Sequence, residues 1–165
     1  MERTSFANMQ CSLAQTLEIV GDWWTPLILR DLFLGVDRFD ELVENLGISR
    51  NLLTRRLAAL VKRGLVSREP YLRRPVRNQY RLTEAGRALV PILAALTAWG
   101  DRWAPPPGGG AIGFLHSDCG RRFTPRIVCS ECGEILDGGA MKGVATAAAR
   151  PGPGIAVIAR KLAQP

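Results

Sequence analysis

The chain has 165 residues, 47% of them apolar, enough for one ordinary domain with a buried core plus an appendage, and too apolar for wholesale disorder. The formal net charge is +7, which points toward a polyanionic partner. No run of about 18 apolar residues is present, which excludes a membrane-spanning helix, and one histidine with few clustered acids argues against a hydrolase-like site.

Leu13, Leu17 and Val20 recur at helical spacing after Ser12, a favourable N-cap, and Gly21 ends this first helix. Thr25-Pro26 reads as an N-cap followed by proline at the first helical position. The LILRDLFLG run behind it is apolar nearly all round, so this second helix is expected to be buried. Asp37 is placed to cap a third helix with Phe39, Leu42, Val43 and Leu46 on one stripe. Gly47-Ile48 makes a tight turn, and Ser49 caps a fourth helix running to about Arg63. Gly64 stops that helix, and residues 65–68 and 79–82 read as two short strands around an exposed tip, EPYLRRPVRN, with two prolines and three arginines. Thr83 caps a long last helix whose seam, Ala85, Leu89, Ile92, Leu96, Trp99 and Trp103, has heptad spacing suited to packing on another helix. Pro91 is expected to kink it near its second turn.

PPPGGG at 105–110 reads as a linker. The expected organisation is therefore a winged-helix and dimerisation domain over 1–104, a linker over 105–111, a zinc-ribbon-like segment over 112–137, and a flexible Gly/Ala/Pro-rich tail over 138–165. In that tail IAVIA at 155–159 is a candidate strand. The fold class is mainly α with a small β wing, plus a small C-terminal β element. The N-terminal residues contain no apolar signal segment, so the expected location is cytoplasmic and nucleoid-associated.

Charge concentrates where the helix-turn-helix and hairpin are. Residues 50–87 carry eleven Lys/Arg and two acids, a balance of +9, against −5 for residues 1–49 and +3 for 88–165. That is the electrostatic footprint of a nucleic-acid-binding element, whereas a solubilising face would intersperse acids. At 100° per residue, Leu53, Leu57, Leu60 and Val61 of the fourth helix share a core-facing side. Arg50, Asn51, Thr54, Arg55 and Ala58 fall on the opposite arc, with Ser49 at its start. Arg pairs with guanine, Asn with adenine, and Thr touches the thymine methyl, so this arc fits a major groove. Arg56 and Arg63 flank it toward phosphate, and Arg73, Arg74 and Arg77 of the hairpin are placed for a minor groove or for phosphates.

The segments CSLAQTLEIVGDWWTPLILRDL, RFDELVENLGISRNLLTRRLAALVKRGLV and PYLRRPVRNQYRLTEAGRALVPILAALTAWG closely resemble the HxlR family of bacterial transcriptional regulators, relatives of the MarR group, over about residues 8–104. The resemblance implies a homodimeric winged-helix binder of double-stranded DNA, usually a repressor, with a dimer built from the first and last helices. In this chain those helices offer Leu13, Leu17, Leu96, Trp99 and Trp103. Many members carry a cysteine where Cys11 stands, and some sense oxidants through it, so a thiol-based sensor is an alternative reading. No effector ligand is legible: Trp23, Trp24, Trp99 and Trp103 suit core or dimer packing better than a pocket.

Beyond the linker, His116-Ser-Asp-Cys119-Gly and Cys129-Ser-Glu-Cys132-Gly are near-copies, giving H-x2-C-x9-C-x2-C. Two residues between donors let one turn present both to a tetrahedral ion, and the following glycine permits a tight knuckle. The intervening RRFTPRIV is expected to form a hairpin that brings the pairs together. Cys3His donors select Zn2+, one structural ion per chain, with no open position for catalysis. A thioredoxin-type thiol pair would need a βαβ context that is not present. An RNA-binding or protein-interaction module using this ribbon is the remaining alternative.

Overall fold

The computed structural model describes residues 5–162 of the chain. They divide into two compact units, one of residues 27–136 and one of residues 5–26 with 137–162. No described helix is long and apolar enough to cross a membrane.

The larger unit holds the tri-helical and hairpin order expected of a winged helix. After α2 (Trp24–Phe33) come α3 (Phe39–Leu46), α4 (Arg50–Lys62), the hairpin β1 (Val66–Arg73) and β2 (Val76–Leu82), then α5 (Glu84–Ala88) and α6 (Val90–Trp103). Its core is Ile28, Leu29 and Leu32 from α2, Leu42 from α3, Ile48 from the turn, Leu53, Leu57 and Leu60 from α4, and Leu65, Val66 and Leu82 at the root of the hairpin. The buried Asp31 carboxylate is satisfied inside this core by the Arg30 guanidinium at 2.7 Å and by the Asn45 amide at 2.6 Å, which ties α2 to α3. A buried carboxylate left without such donors would cost several kcal/mol.

The α3–α4 turn forms as its residues dictate. Gly47 sits at φ +62°, the left-handed conformation that ends α3, and Ser49 Oγ accepts the Leu52 N–H at 3.4 Å to start α4. Because that bond is long and exposed, Ser49→Ala is expected to destabilise the chain by only about 0.5–1 kcal/mol. The corresponding fall of roughly 2–8 °C in melting temperature is read by thermal denaturation.

Several boundaries differ from the sequence reading. Ser12 is the first residue of α1 (Ser12–Val20) rather than its cap; Cys11, extended at φ −139°, holds the N-cap position. Helix α2 starts at Trp24, one residue before Thr25, because the Asp22 carboxylate accepts the Trp24 and Thr25 N–H groups at 3.0 and 3.1 Å. Asp37 does not cap α3; its carbonyl accepts the Tyr80 N–H at 2.8 Å and Arg38 bridges Gln79, so this segment is recruited by the hairpin. Val61 is exposed, leaving three rather than four core leucine-type positions on α4. In α2, Leu27, Phe33 and Leu34 just beyond it are also exposed, so the helix is buried on one side only.

The hairpin strands are longer than expected and pair from Val66↔Leu82 to Arg73↔Val76, with a register shift between Pro70 and Leu72. Pro70 has no N–H for the ladder, and the shift lets the strand continue past it. Only Arg74 and Pro75 remain as the tip. Pro91 does more than kink the last helix: the chain breaks at Leu89 and restarts with proline in the first turn of α6.

Residues 112–136 belong to the same unit. Ile112–Phe114 and Arg122–Pro125 lie along α6 beside Ala94, Thr97, Ala98 and Asp101, leaving a cleft of about 240 Å³. In the smaller unit, the 155–159 stretch is not a strand. It opens α7 (Ala156–Leu162), in which Ala, Arg, Lys and Leu outweigh the β-branched Val157 and Ile158, and the Gly152–Ile155 turn feeds the helix.

Candidate nucleic-acid interface and paired knuckles

The face of α4 opposite its leucines is open. Ser49, Arg50, Asn51, Thr54, Arg55 and Ala58 are all exposed, and Arg56 is half-buried on the flank. Thr54 donates its hydroxyl hydrogen to the Arg50 carbonyl at 2.8 Å, which leaves its methyl group and an oxygen lone pair outward. Arg50 stands in the first turn. Its guanidinium lies 2.7 Å from Asp40 and 4.9 Å above the Phe39 ring, both from the start of α3. Both charged side chains are well exposed, so the pair contributes at most about 1 kcal/mol and yields Arg50 to a stronger acceptor at little cost.

The hairpin stands beside this face. Arg73, Arg74 and Arg77 are exposed at and near its tip. Between α4 and the hairpin runs a groove of about 560 Å³, lined among others by Arg38, Arg50, Thr54, Arg68, Arg77 and Tyr80. Arg38 and Arg68 were not among the sequence candidates. Arg38 is brought in because its backbone bridges Gln79 and its guanidinium stacks 4.9 Å over Tyr71, a long-range pairing with no local signal. The groove gathers four arginines and two carboxylates, Asp40 and Glu41, and this net positive lining suits a phosphodiester backbone.

On α6, Ile92, Leu96, Trp99 and Trp103 are 58–62% exposed, and Arg102 stacks 4.8 Å over Trp103 at the end of the row. On α1, Leu13 and Leu17 are exposed in the same manner. Cys11 is half-buried at the N-cap of α1, its carbonyl accepting the Gln15 N–H at 3.0 Å.

The His/Cys segment folds as two hairpin tips of one design. Strands β3 (Phe114–Leu115) and β4 (Arg122–Phe123) flank the first donor pair, and Val128 bridges Ile135 around the second. In the first tip the His116 N–H donates to the Arg121 carbonyl at 2.9 Å and the Gly120 N–H to the His116 carbonyl at 2.7 Å. In the second the Cys129 N–H donates to Glu134 at 2.8 Å and the Gly133 N–H to Cys129 at 2.9 Å. Gly120 and Gly133 both take positive φ, +65° and +74°. RRFTPRIV is therefore not one hairpin: Arg122–Phe123 is the return strand of the first and Ile127–Val128 opens the second, and each donor pair sits at the tip of its own.

The Cys132 N–H, then the Glu131 N–H, pointed at Cys129 hold its thiol below the ordinary range, with the Cys132 side chain adding to the effect. Among the described residues, no three His, Cys, Asp or Glu side chains are gathered closely enough to hold an ion. The donor types, three thiols and one imidazole, suit zinc.

A family model described as HxlR-like helix-turn-helix matches residues 19–107. An uncharacterised HTH-type transcriptional regulator of Mycobacterium tuberculosis is 48% identical over 125 residues, 76% of this chain and 79% of that protein. The crystal structure of PA1607, described as a candidate transcription factor, superposes with a TM-score of 0.74 at 32% identity over 85% of this chain and 98% of that one. That share exceeds the residues up to the end of the family match, so part of the C-terminal extension has a counterpart there as well. The redox regulator HypR in its reduced form is similar at a TM-score of 0.52 and 33% identity, over 55% of this chain and 90% of that one.

Proposed function

The chain belongs to the HxlR-like helix-turn-helix family of transcriptional regulators, and from that premise we propose that it is a homodimeric, sequence-specific binder of double-stranded DNA that represses the promoters it occupies. The observation that carries this reading is the outward arc of α4, Arg50, Asn51, Thr54, Arg55 and Ala58, on a helix anchored by Leu53, Leu57 and Leu60. In this reading α4 enters the major groove, where Arg50 and Arg55 read guanine, Asn51 reads adenine, and Ala58 lets the backbone approach. Ser49 and Arg56 meet phosphates at the groove edge, and Arg73, Arg74 and Arg77 clamp the neighbouring backbone or minor groove. Repression follows from occupancy, since a dimer seated across a promoter blocks access to it.

Dimerisation in this reading uses Leu96, Trp99 and Trp103 of α6 together with Leu13 and Leu17 of α1. A two-fold dimer places two copies of α4 about 34 Å apart or a multiple of that, and the operator is then a pseudo-palindrome.

Competition binding distinguishes this from an RNA-binding or protein-interaction role. The operator duplex is expected to displace a labelled operator far better than double-stranded RNA of the same sequence. Arg50→Ala or Arg55→Ala is expected to cost about 1–3 kcal/mol on the operator, roughly 5- to 150-fold in affinity. Arg74→Ala should weaken operator and random duplexes alike. Equal displacement by RNA, or unchanged operator affinity in both helix variants, contradicts the reading.

The half-buried Cys11 at the N-cap of α1, together with the likeness to the redox regulator HypR, favours a second reading in which oxidation of this thiol modulates DNA binding. Here Cys11→Ser should abolish any loss of operator affinity caused by diamide, and a variant that responds like the wild type removes Cys11 from that role.

A further inference from the structure

We propose that His116, Cys119, Cys129 and Cys132 bind one Zn2+ per chain in a closed structural centre, with each knuckle supplying two donors. Such a centre is independent of DNA binding, and the backbone itself points to it. The two tips repeat the same pair of hydrogen bonds, from residue i to the carbonyl of i+5 and from i+4 back to the carbonyl of i, at 2.7–2.9 Å, and both close on a positive-φ glycine. In each tip the donors stand at i and i+3, the spacing with which a single turn offers two side chains to one tetrahedral ion. Two unrelated surface turns would have no reason to share hydrogen bonds, glycine position and donor spacing at once.

Apart from Ile112–Phe114 and Arg122–Pro125, which lie along α6, the segment has little to hold its two tips. No residue from Leu115 to Glu134 is buried, and Leu115, Phe123, Ile127, Val128 and Ile135 are all widely exposed. A segment of this size without a core folds when a metal supplies the missing free energy. Its apolar contact is modest: the Phe114 and Phe123 rings at 6.3 Å, with His116 edge-on to Phe123 at 6.2 Å. His116 is thereby tied to the hairpin that carries it.

The donor set specifies the ion. Three thiolates and one imidazole in tetrahedral array select zinc over harder divalent cations. Three thiolates around Zn2+ leave a net charge of −1, and Arg121, Arg122 and Arg126 lie on the segment between the pairs to offset it. Thr124–Arg126 joins the return strand of the first hairpin to Ile127 and Val128, which pair with Leu136 and Ile135 in the second, and in this proposal the ion ties the two knuckles together. Zn–S distances of about 2.3 Å and a Zn–N distance near 2.0 Å are the expected geometry.

The test uses the full chain purified without a metal-affinity tag or chelator. Elemental analysis after incubation with Zn2+ and removal of excess should give one zinc per chain, and Co2+ in its place should give the visible absorption of a tetrahedral thiolate site. Cys129→Ser should lower bound zinc to less than about a tenth per chain and abolish the cobalt band. His116→Cys, which keeps four donors, should retain both, so loss of metal is distinguished from loss of fold. Operator binding measured in parallel shows separately whether the DNA reading stands. Substoichiometric zinc in the wild type, or Cys119, Cys129 and Cys132 all freely reactive toward a thiol reagent in the zinc-treated protein, overturns the site.

Discussion

Replacing Trp99 and Trp103 together by glutamate is expected to convert the proposed dimer into monomers and to lower operator affinity by at least about 100-fold. Ile92, Leu96, Trp99 and Trp103 form one row at helical spacing, each more than half exposed in the single chain. A continuous apolar row of this size marks an interaction surface. Burying each such side chain contributes about 1.5–3 kcal/mol, and two-fold symmetry doubles every contact. Glutamates at 99 and 103 would instead bring four carboxylates into the interface. The helix itself should survive, because its inner face, with Ala94 at 4% exposure, is untouched. Losing the dimer makes the two half-site contacts independent, which accounts for the affinity loss. Sedimentation at micromolar concentration reads the first effect and titration of the operator the second. A variant that stays dimeric contradicts the assignment of this face.

Gly86→Ala is expected to destabilise the winged-helix unit by about 3 kcal/mol. Gly86 is buried in α5, and a Cβ there would fall inside van der Waals contact of the Leu65 carbonyl oxygen and 3.2 Å from Leu82 Cδ2. The Leu65 carbonyl cannot retreat freely, because it accepts the Thr83 N–H at 3.0 Å, and Thr83 in turn caps α5 through its Oγ1 on the Gly86 N–H at 3.2 Å. Relief of the clash must therefore loosen the junction where the hairpin returns to the helices. Chemical denaturation should show an earlier midpoint, with weaker DNA binding as the hairpin loses its anchor. Unchanged stability would mean that α5 and β1 can separate without cost.

Much of the fold was legible because the signals are local. Gly47, Ser49 and Gly64 each act within one turn, and the Leu53/Leu57/Leu60 spacing states which side of α4 faces the core. The exposed arc of α4 was legible for the same reason, being the complement of the leucine face. What could not be read depended on partners distant in sequence. Asp37 was expected to cap a helix, yet its backbone is claimed by Tyr80, and Arg38 enters the groove only through its bridge to Gln79. The pairing of Arg50 with Asp40 likewise needs the α3–α4 angle, not the sequence alone. In the extension, donor spacing revealed two matched turns, but their distribution over two hairpins rather than one depends on which short strands pair, and Pro125 and the brevity of those strands left that open.

The claim that α4 reads DNA sequence is tested most directly by selecting bound sites from a pool of random duplexes with the full chain and with Arg55→Ala. The account predicts that the wild type enriches a pseudo-palindromic motif, and that the variant enriches the same motif with base preference relaxed at one position in each half-site. Failure of the wild type to enrich any motif, or an identical motif and affinity for Arg50→Ala, Asn51→Ala and Arg55→Ala, would contradict it.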